Sequence, residues 1–216
     1  MMRPSAVLRL AAVALAALAL SACISLLPKT KPVSLYRFGA ERAPAADVPR
    51  GAVGVFLAHG TFEREAAGDR ILTVDGTRVA YVAETRWAAP ATVLWNQAVT
   101  AAFDADPGPV RLIARGEPAA AAYVLRLDVR TFETRYENGP KAPPVVVVRV
   151  RAVLTPSGDH GKASEKVFEA RVDADRNRMR AIVPAYDRAV NQVLDAIVAW
   201  TNAQASAGLS EVKAPG

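Results

Sequence analysis

Three stretches, residues 122–134, 145–155 and 164–173, alternate apolar and polar side chains with a period of two, and turn-rich segments Asn138-Gly139-Pro140 and Pro156-Ser157-Gly158 separate them. Such alternation belongs to strands with one face buried and one in water, and long runs joined by short turns predict an antiparallel meander. Tyr123, Leu125, Leu127 and Val129 share a face of the first run, Val146, Val148, Val150 and Leu154 of the second, and Phe168, Ala170 and Val172 of the third. Arg126, Asp128, Arg130, Arg149, Arg151, Glu165, Glu169 and Arg171 lie opposite, where cross-strand charge pairs on a solvated face are expected. The apolar face needs a covering layer.

Two helices can supply it. Pro90 suits a helical first turn, and after it Leu94, Trp95, Ala98, Val99, Ala102 and Phe103 form one apolar arc, ended by Asp106-Pro107-Gly108-Pro109. A second helix is predicted over residues 182–203, where Tyr186, Ala189, Val190, Val193, Leu194, Ile197, Trp200 and Thr201 make a stripe and Pro184 falls in the first turn. Strands are expected at 34–38, 52–58 and 110–114. A hairpin is expected from 71–74 and 77–82, with Asp75-Gly76 as a turn pair at positive φ. Residues 84–87 read as the loop from that hairpin to the first helix, and 206–216 as a frayed tail.

Ahead of the domain, Arg3 and Arg9 precede the uncharged run 10–20, which ends at Leu20-Ser21-Ala22-Cys23. This is a signal-peptide layout, and its last four residues resemble the lipobox of bacterial lipoproteins. Small Ser21 and Ala22 admit a peptidase. The Cys23 thiol is the nucleophile that accepts a thioether-linked diacylglycerol, and cleavage frees its amine for a further acyl chain such as palmitate. Cys23 is the only cysteine, so no internal disulfide can form. The expected organisation is a lipoprotein signal peptide over 1–22, a lipidated tether over 23–33 carrying Lys29 and Lys31, a single domain over 34–205, and the tail. Ile24, not aspartate, follows Cys23, which favours the periplasmic face of the outer membrane over inner-membrane retention.

The net charge of +6 gives little sign of a nucleic-acid partner. Without Arg3 and Arg9, 25 cations against 21 anions leave +4, and the arginines are interspersed with acids instead of forming a stripe. No other segment approaches the about 18 apolar residues of a membrane span. His59 and His160 are the only histidines, without zinc-ligand spacing, and there is neither a phosphate-binding glycine loop nor a nucleophile elbow. Asp173-Ala174-Asp175 lacks the glycine and terminal glutamate of a calcium loop. The reading is therefore a non-enzyme with no catalytic residues, no metal and no cofactor beyond the acyl chains on Cys23.

Tyr36, Tyr81, the segment Arg86-Trp87-Ala88-Ala89-Pro90 opening a helix, the meander and the closing helix with Ala199-Trp200, all behind a lipobox, resemble the ABC-type transport auxiliary lipoprotein family. The resemblance spans about residues 34–203. It implies an α/β (α+β) fold, with a mixed, largely antiparallel sheet packed by two main helices, similar to TolB amino-terminal and anticodon-binding-like domains. It also implies partners: the MCE-domain periplasmic subunit, permease and ATPase of an ABC lipid transport system related to Mla and Pqi. Arg86, Trp87 and Pro90 are then a family motif and candidate partner contact. A pilotin-like or LptE-like assembly role in another outer-membrane machine is the alternative, and self-association stays open.

Overall fold

The computed structural model describes residues 32–39, 42–45, 53–113, 116–117, 119–158 and 162–213. In chain order these form β1 (Ser34–Tyr36), β2 (Val53–Ala58), β3 (Arg70–Asp75), β4 (Arg78–Trp87), α1 (Ala91–Asp104), β5 (Val110–Ile113), β6 (Tyr123–Arg135), β7 (Val145–Pro156), β8 (Ser164–Asp173) and α2 (Met179–Lys213).

The meander forms as the alternation requires, β6 pairing antiparallel with β7 and β7 with β8. One irregularity escapes the sequence pattern. The β6–β7 register slips by one residue between Val129 and Thr131, and beyond this bulge the buried positions change parity. Phe132 and Thr134, 1% and 0% exposed, therefore follow Val129 into the core.

With β7 along one edge of β6, the other edge is shared end to end. β2 pairs parallel with its first half, from Val55↔Tyr123 to Ala58↔Arg126, and β3 pairs parallel with its end at Thr73↔Thr134 and Val74↔Arg135. Parallel β5 extends the sheet beyond β2, while antiparallel β4 and then β1 extend it beyond β3. The result is a mixed eight-stranded sheet among the described residues, and most paired residues belong to antiparallel ladders.

The hairpin is present, shifted by one residue from the sequence expectation. Asp75 pairs with Arg78, so the loop is Gly76-Thr77, and only Gly76 has positive φ, 57°. A two-residue loop with glycine first suits the strand twist without a second positive φ. β4 also continues through residues 84–87, where a loop is expected from sequence. A bulge carries it there: the register jumps between Leu72↔Tyr81 and Arg70↔Arg86, and Glu84 adopts φ 55°. Beyond the bulge, β1 holds Thr85, Arg86 and Trp87 in a parallel ladder.

In α1, Leu94, Trp95, Ala98, Val99, Ala102 and Phe103 are all buried, as the arc predicts. Pro90 is the N-cap residue, one position before the helix instead of in its first turn. α2 is longer than predicted at both ends. The Arg178 carbonyl accepts the Ala181 and Ile182 N–H groups and starts the helix early, so Pro184 lies in the second turn and leaves the Arg180 carbonyl without its usual donor. At the other end Ala205 is buried and the Ser206 hydroxyl donates to the Asn202 carbonyl, so helix replaces the tail expected from residue 206, up to Lys213.

Both helices cover the apolar face of the sheet. The Thr134 hydroxyl of β6 donates to the Tyr186 hydroxyl of α2 at 3.1 Å, α1 packs against α2, and Trp200 meets Phe168 edge-on at 5.8 Å. Burial pushes the Tyr186 phenol far above its ordinary pKa. The opposite face carries the expected ladder: Arg149 pairs with Glu169 at 2.6 Å, and Arg151 with Glu165 and with Asp128. Exposed pairs of this kind each contribute about 0–1 kcal/mol, so the stability of the fold rests on the other face.

Candidate functional site

The Arg86-Trp87 segment is built into the sheet. Trp87 is 2% exposed, with its ring edge-on to Phe38 at 5.0 Å and to Tyr186 at 5.1 Å and close to Phe132. Its backbone N–H donates to the Asp69 carbonyl at 2.7 Å, and Ala88 N–H to the Tyr36 carbonyl at 2.7 Å. Just past Pro90, the Ala91 amide donates to the Gly68 carbonyl at 2.9 Å. The segment thus joins β1, the loop before β3 and the start of α1. Arg86 points to the other side of the sheet and pairs with Asp69 at 3.1 Å, both about half exposed. Of the predicted motif, then, Trp87 is internal scaffold, whereas half-exposed Arg86 and exposed Pro90 present their side chains to solvent. Leu20, Ser21, Ala22 and Cys23, with the whole predicted signal peptide and nearly all of the tether, lie outside the described residues, as does His160.

A second feature was not legible from sequence. A half-open cleft of about 700 Å³ lies between α1 and the carboxyl ends of β2 and β5, with Leu127 of β6 at its base. Phe56, Leu57, Leu112, Ile113, Trp95 and Val99 give it apolar walls, and His59, Thr61, Thr92, Asn96, Thr100 and Asp104 supply polar groups. Its α1 side runs from Thr92 to Asp104, about 18 Å of helix. The volume falls within the range of small-molecule and peptide side-chain pockets. The described lining residues include no serine, cysteine or lysine nucleophile, and His59 is an exposed strand-end histidine, so the arrangement suits holding an apolar group better than chemistry. Each wall residue looks like ordinary core in isolation. The one local clue is Gly60, packed so tightly that a Cβ there would lie 1.7 Å from the Leu127 carbonyl oxygen.

The segment after His59 that closes this end of the cleft is fastened by two acids. Asp128 Oδ1 accepts from the Thr61 amide and hydroxyl, both at 3.0 Å, and Glu63 Oε2 accepts the Phe132 amide at 2.8 Å, between the Phe62↔Val129 bridge and β3. Glu63 thereby takes the place of a strand carbonyl where no strand lies. Burial opposes the charged form of both. At Asp128 the Thr61 bonds, with Arg126 and Arg151, outweigh it and hold the carboxyl below its usual range. At Glu63 burial prevails over the Phe132 amide and raises the carboxyl above its ordinary 4.5. A raised folded-state pKa gives a contribution that is full below the unfolded value and lost as pH rises through the folded one. Glu63→Gln keeps an oxygen for the Phe132 amide without the charge. Thermal unfolding from below pH 4.5 to neutral is thus expected to show wild type losing more stability than the variant, and parallel losses would contradict the assignment.

The sequence profile of the ABC-type transport auxiliary lipoprotein component family matches residues 66–198, from the loop before β3 well into α2. The chain belongs to this family. A Xanthomonas campestris structure of the family model DUF330 shares the auxiliary lipoprotein's fold, with TM-score 0.70 at 22% identity over 82% of this chain and 99% of the other. An uncharacterised protein structure is similar with TM-score 0.62 at 13% identity, covering 79% and 99%. No curated protein is significantly similar to the chain. The family is one of ABC-type transport auxiliary components, and its match takes in the Arg86-Trp87 segment and α1.

Proposed function

We propose that this auxiliary lipoprotein is the non-enzymatic, outer-membrane-anchored accessory subunit of an MCE-type ABC lipid transport system, where it docks the periplasmic MCE assembly. The observation that carries the reading is the family match over residues 66–198 behind a leader ending in Leu20-Ser21-Ala22-Cys23. In this account Cys23, acylated and freed of residues 1–22, holds the domain at the membrane, and the permease and ATPase belong to the same system. Ile24 after Cys23 supports the outer membrane. The cleft along α1 supports a binding role, since apolar walls with scattered hydroxyl and amide groups fit an inserted partner side chain. Affinity capture from detergent-solubilised envelopes tests the reading. An MCE-domain subunit is the expected co-purifying protein, and consistent recovery of a different outer-membrane machine would favour the assembly-factor alternative instead.

A further inference from the structure

We propose that the corner of the sheet formed by β1 and the β3–β4 hairpin lies against the surface of the bilayer in which Cys23 is anchored; this rests on the acylation proposed above. Five large apolar side chains are notably exposed among the described residues, and two of them, Leu35 and Val79, belong to this corner at 63% and 55% exposure. The register fixes their relation. Leu35 pairs with Arg86, and Arg86 with Arg70 on β3; four residues further along β3, Val74 pairs with Val79. Paired residues point to the same side of a sheet, so Leu35 and Val79 stand on one face, about 14 Å apart given strand rise and spacing. Trp87 points to the helices, so its neighbour Arg86, and Leu35 with it, face away from them.

The side chains between the two apolar positions are of the kind that settles at a lipid interface. Arg70 lies over the Tyr81 ring at 3.8 Å, and Arg86 is half-exposed. Arginine and tyrosine lay apolar stems on a hydrophobic surface while their polar ends stay at headgroup level. Where the tether joins the domain identifies the occupant as lipid. Eleven residues separate the lipid attachment from β1, Cys23 to Val33, and at full extension they reach at most about 40 Å. A domain of this length has a radius of gyration of about 16 Å, so the tether is no longer than the domain is wide and the face beside β1 stays near the membrane. A contact too weak to matter for a free protein is populated at the millimolar effective concentration that a short linker imposes.

The test uses the full-length acylated protein in vesicles of phosphatidylethanolamine and phosphatidylglycerol. Because acylation blocks Cys23, the only cysteine, single Leu35→Cys, Val79→Cys, Val93→Cys and Val167→Cys variants each carry one labelling site. All four replace exposed residues; Val93 lies on α1, and Val167 on β8 at the far side of the sheet. A fluorophore at 35 or 79 should be quenched several-fold more by lipids with nitroxide-labelled acyl chains than one at 93 or 167. Equal quenching at all four sites would overturn the proposal. So would labels at 35 and 79 that quench one another between molecules and not with lipid, the mark of a second copy on this corner. Protein that fails to float with the vesicles would remove the acyl anchor, and this inference with it, whereas a floating protein without selective quenching would leave the anchor standing.

Discussion

Replacing Trp87 by alanine is expected to destabilise the domain by about 3–5 kcal/mol, the cost of deleting a buried aromatic ring. The ring makes edge-on contacts to Phe38 and Tyr186, and its loss opens a cavity where β1, β4, β6 and α2 meet. Against a total stability of about 5–15 kcal/mol, such a loss leaves little of the folded state in reserve. Arg86→Ala should cost no more than about 1 kcal/mol, because the Arg86–Asp69 pair is half exposed. Urea unfolding followed by tryptophan fluorescence and circular dichroism measures both. If Trp87→Ala unfolds like wild type, the segment is not scaffold, and its place in the family match must come from an interaction of the ring itself.

A comparable loss is expected at a residue with no side chain. Gly60→Ala puts a methyl group 1.7 Å from the Leu127 carbonyl oxygen, and the neighbour is backbone that cannot turn aside. The segment must peel away from β6, breaking the Thr61–Asp128 and Glu63–Phe132 bonds that follow it. A cost of about 3 kcal/mol or more is anticipated, at or beyond the upper end for overpacked sites. Gly68→Ala is the control, since open space surrounds that position. Limited proteolysis should cut Gly60→Ala near residues 59–66 while sparing Gly68→Ala, and similar resistance in both would show that the segment is not held where the geometry places it.

The contrast between these residues explains what could be read in the sequence. The meander, the arc of α1 and the stripe of α2 are local periodicities, so apolar residues two, three or four apart reveal them without knowledge of their partners. The bulge in β6 and the continuation of β4 through Trp87 depend on distant groups: the Glu63 carboxylate on Phe132, and β1 beside Thr85. No pattern within ten residues encodes them. Trp87 stood out in sequence because of its neighbours Arg86 and Pro90, yet its burial follows from Phe38, Phe132 and Tyr186, the first and last of which lie 148 positions apart in the chain. The cleft was invisible for the same reason, with walls drawn from β2, α1, β5 and β6. The proposed lipobox ending at Cys23 is the opposite case, a candidate site written in four consecutive residues.

In the proposed function the tether and the domain are parts of one device, and density separation of envelopes tests that directly. In wild-type cells the MCE-domain subunit should appear in outer-membrane fractions together with the lipoprotein. In cells carrying Cys23→Ser it should leave those fractions while the lipoprotein loses its palmitate label. An MCE subunit whose distribution is unchanged by Cys23→Ser would contradict the account.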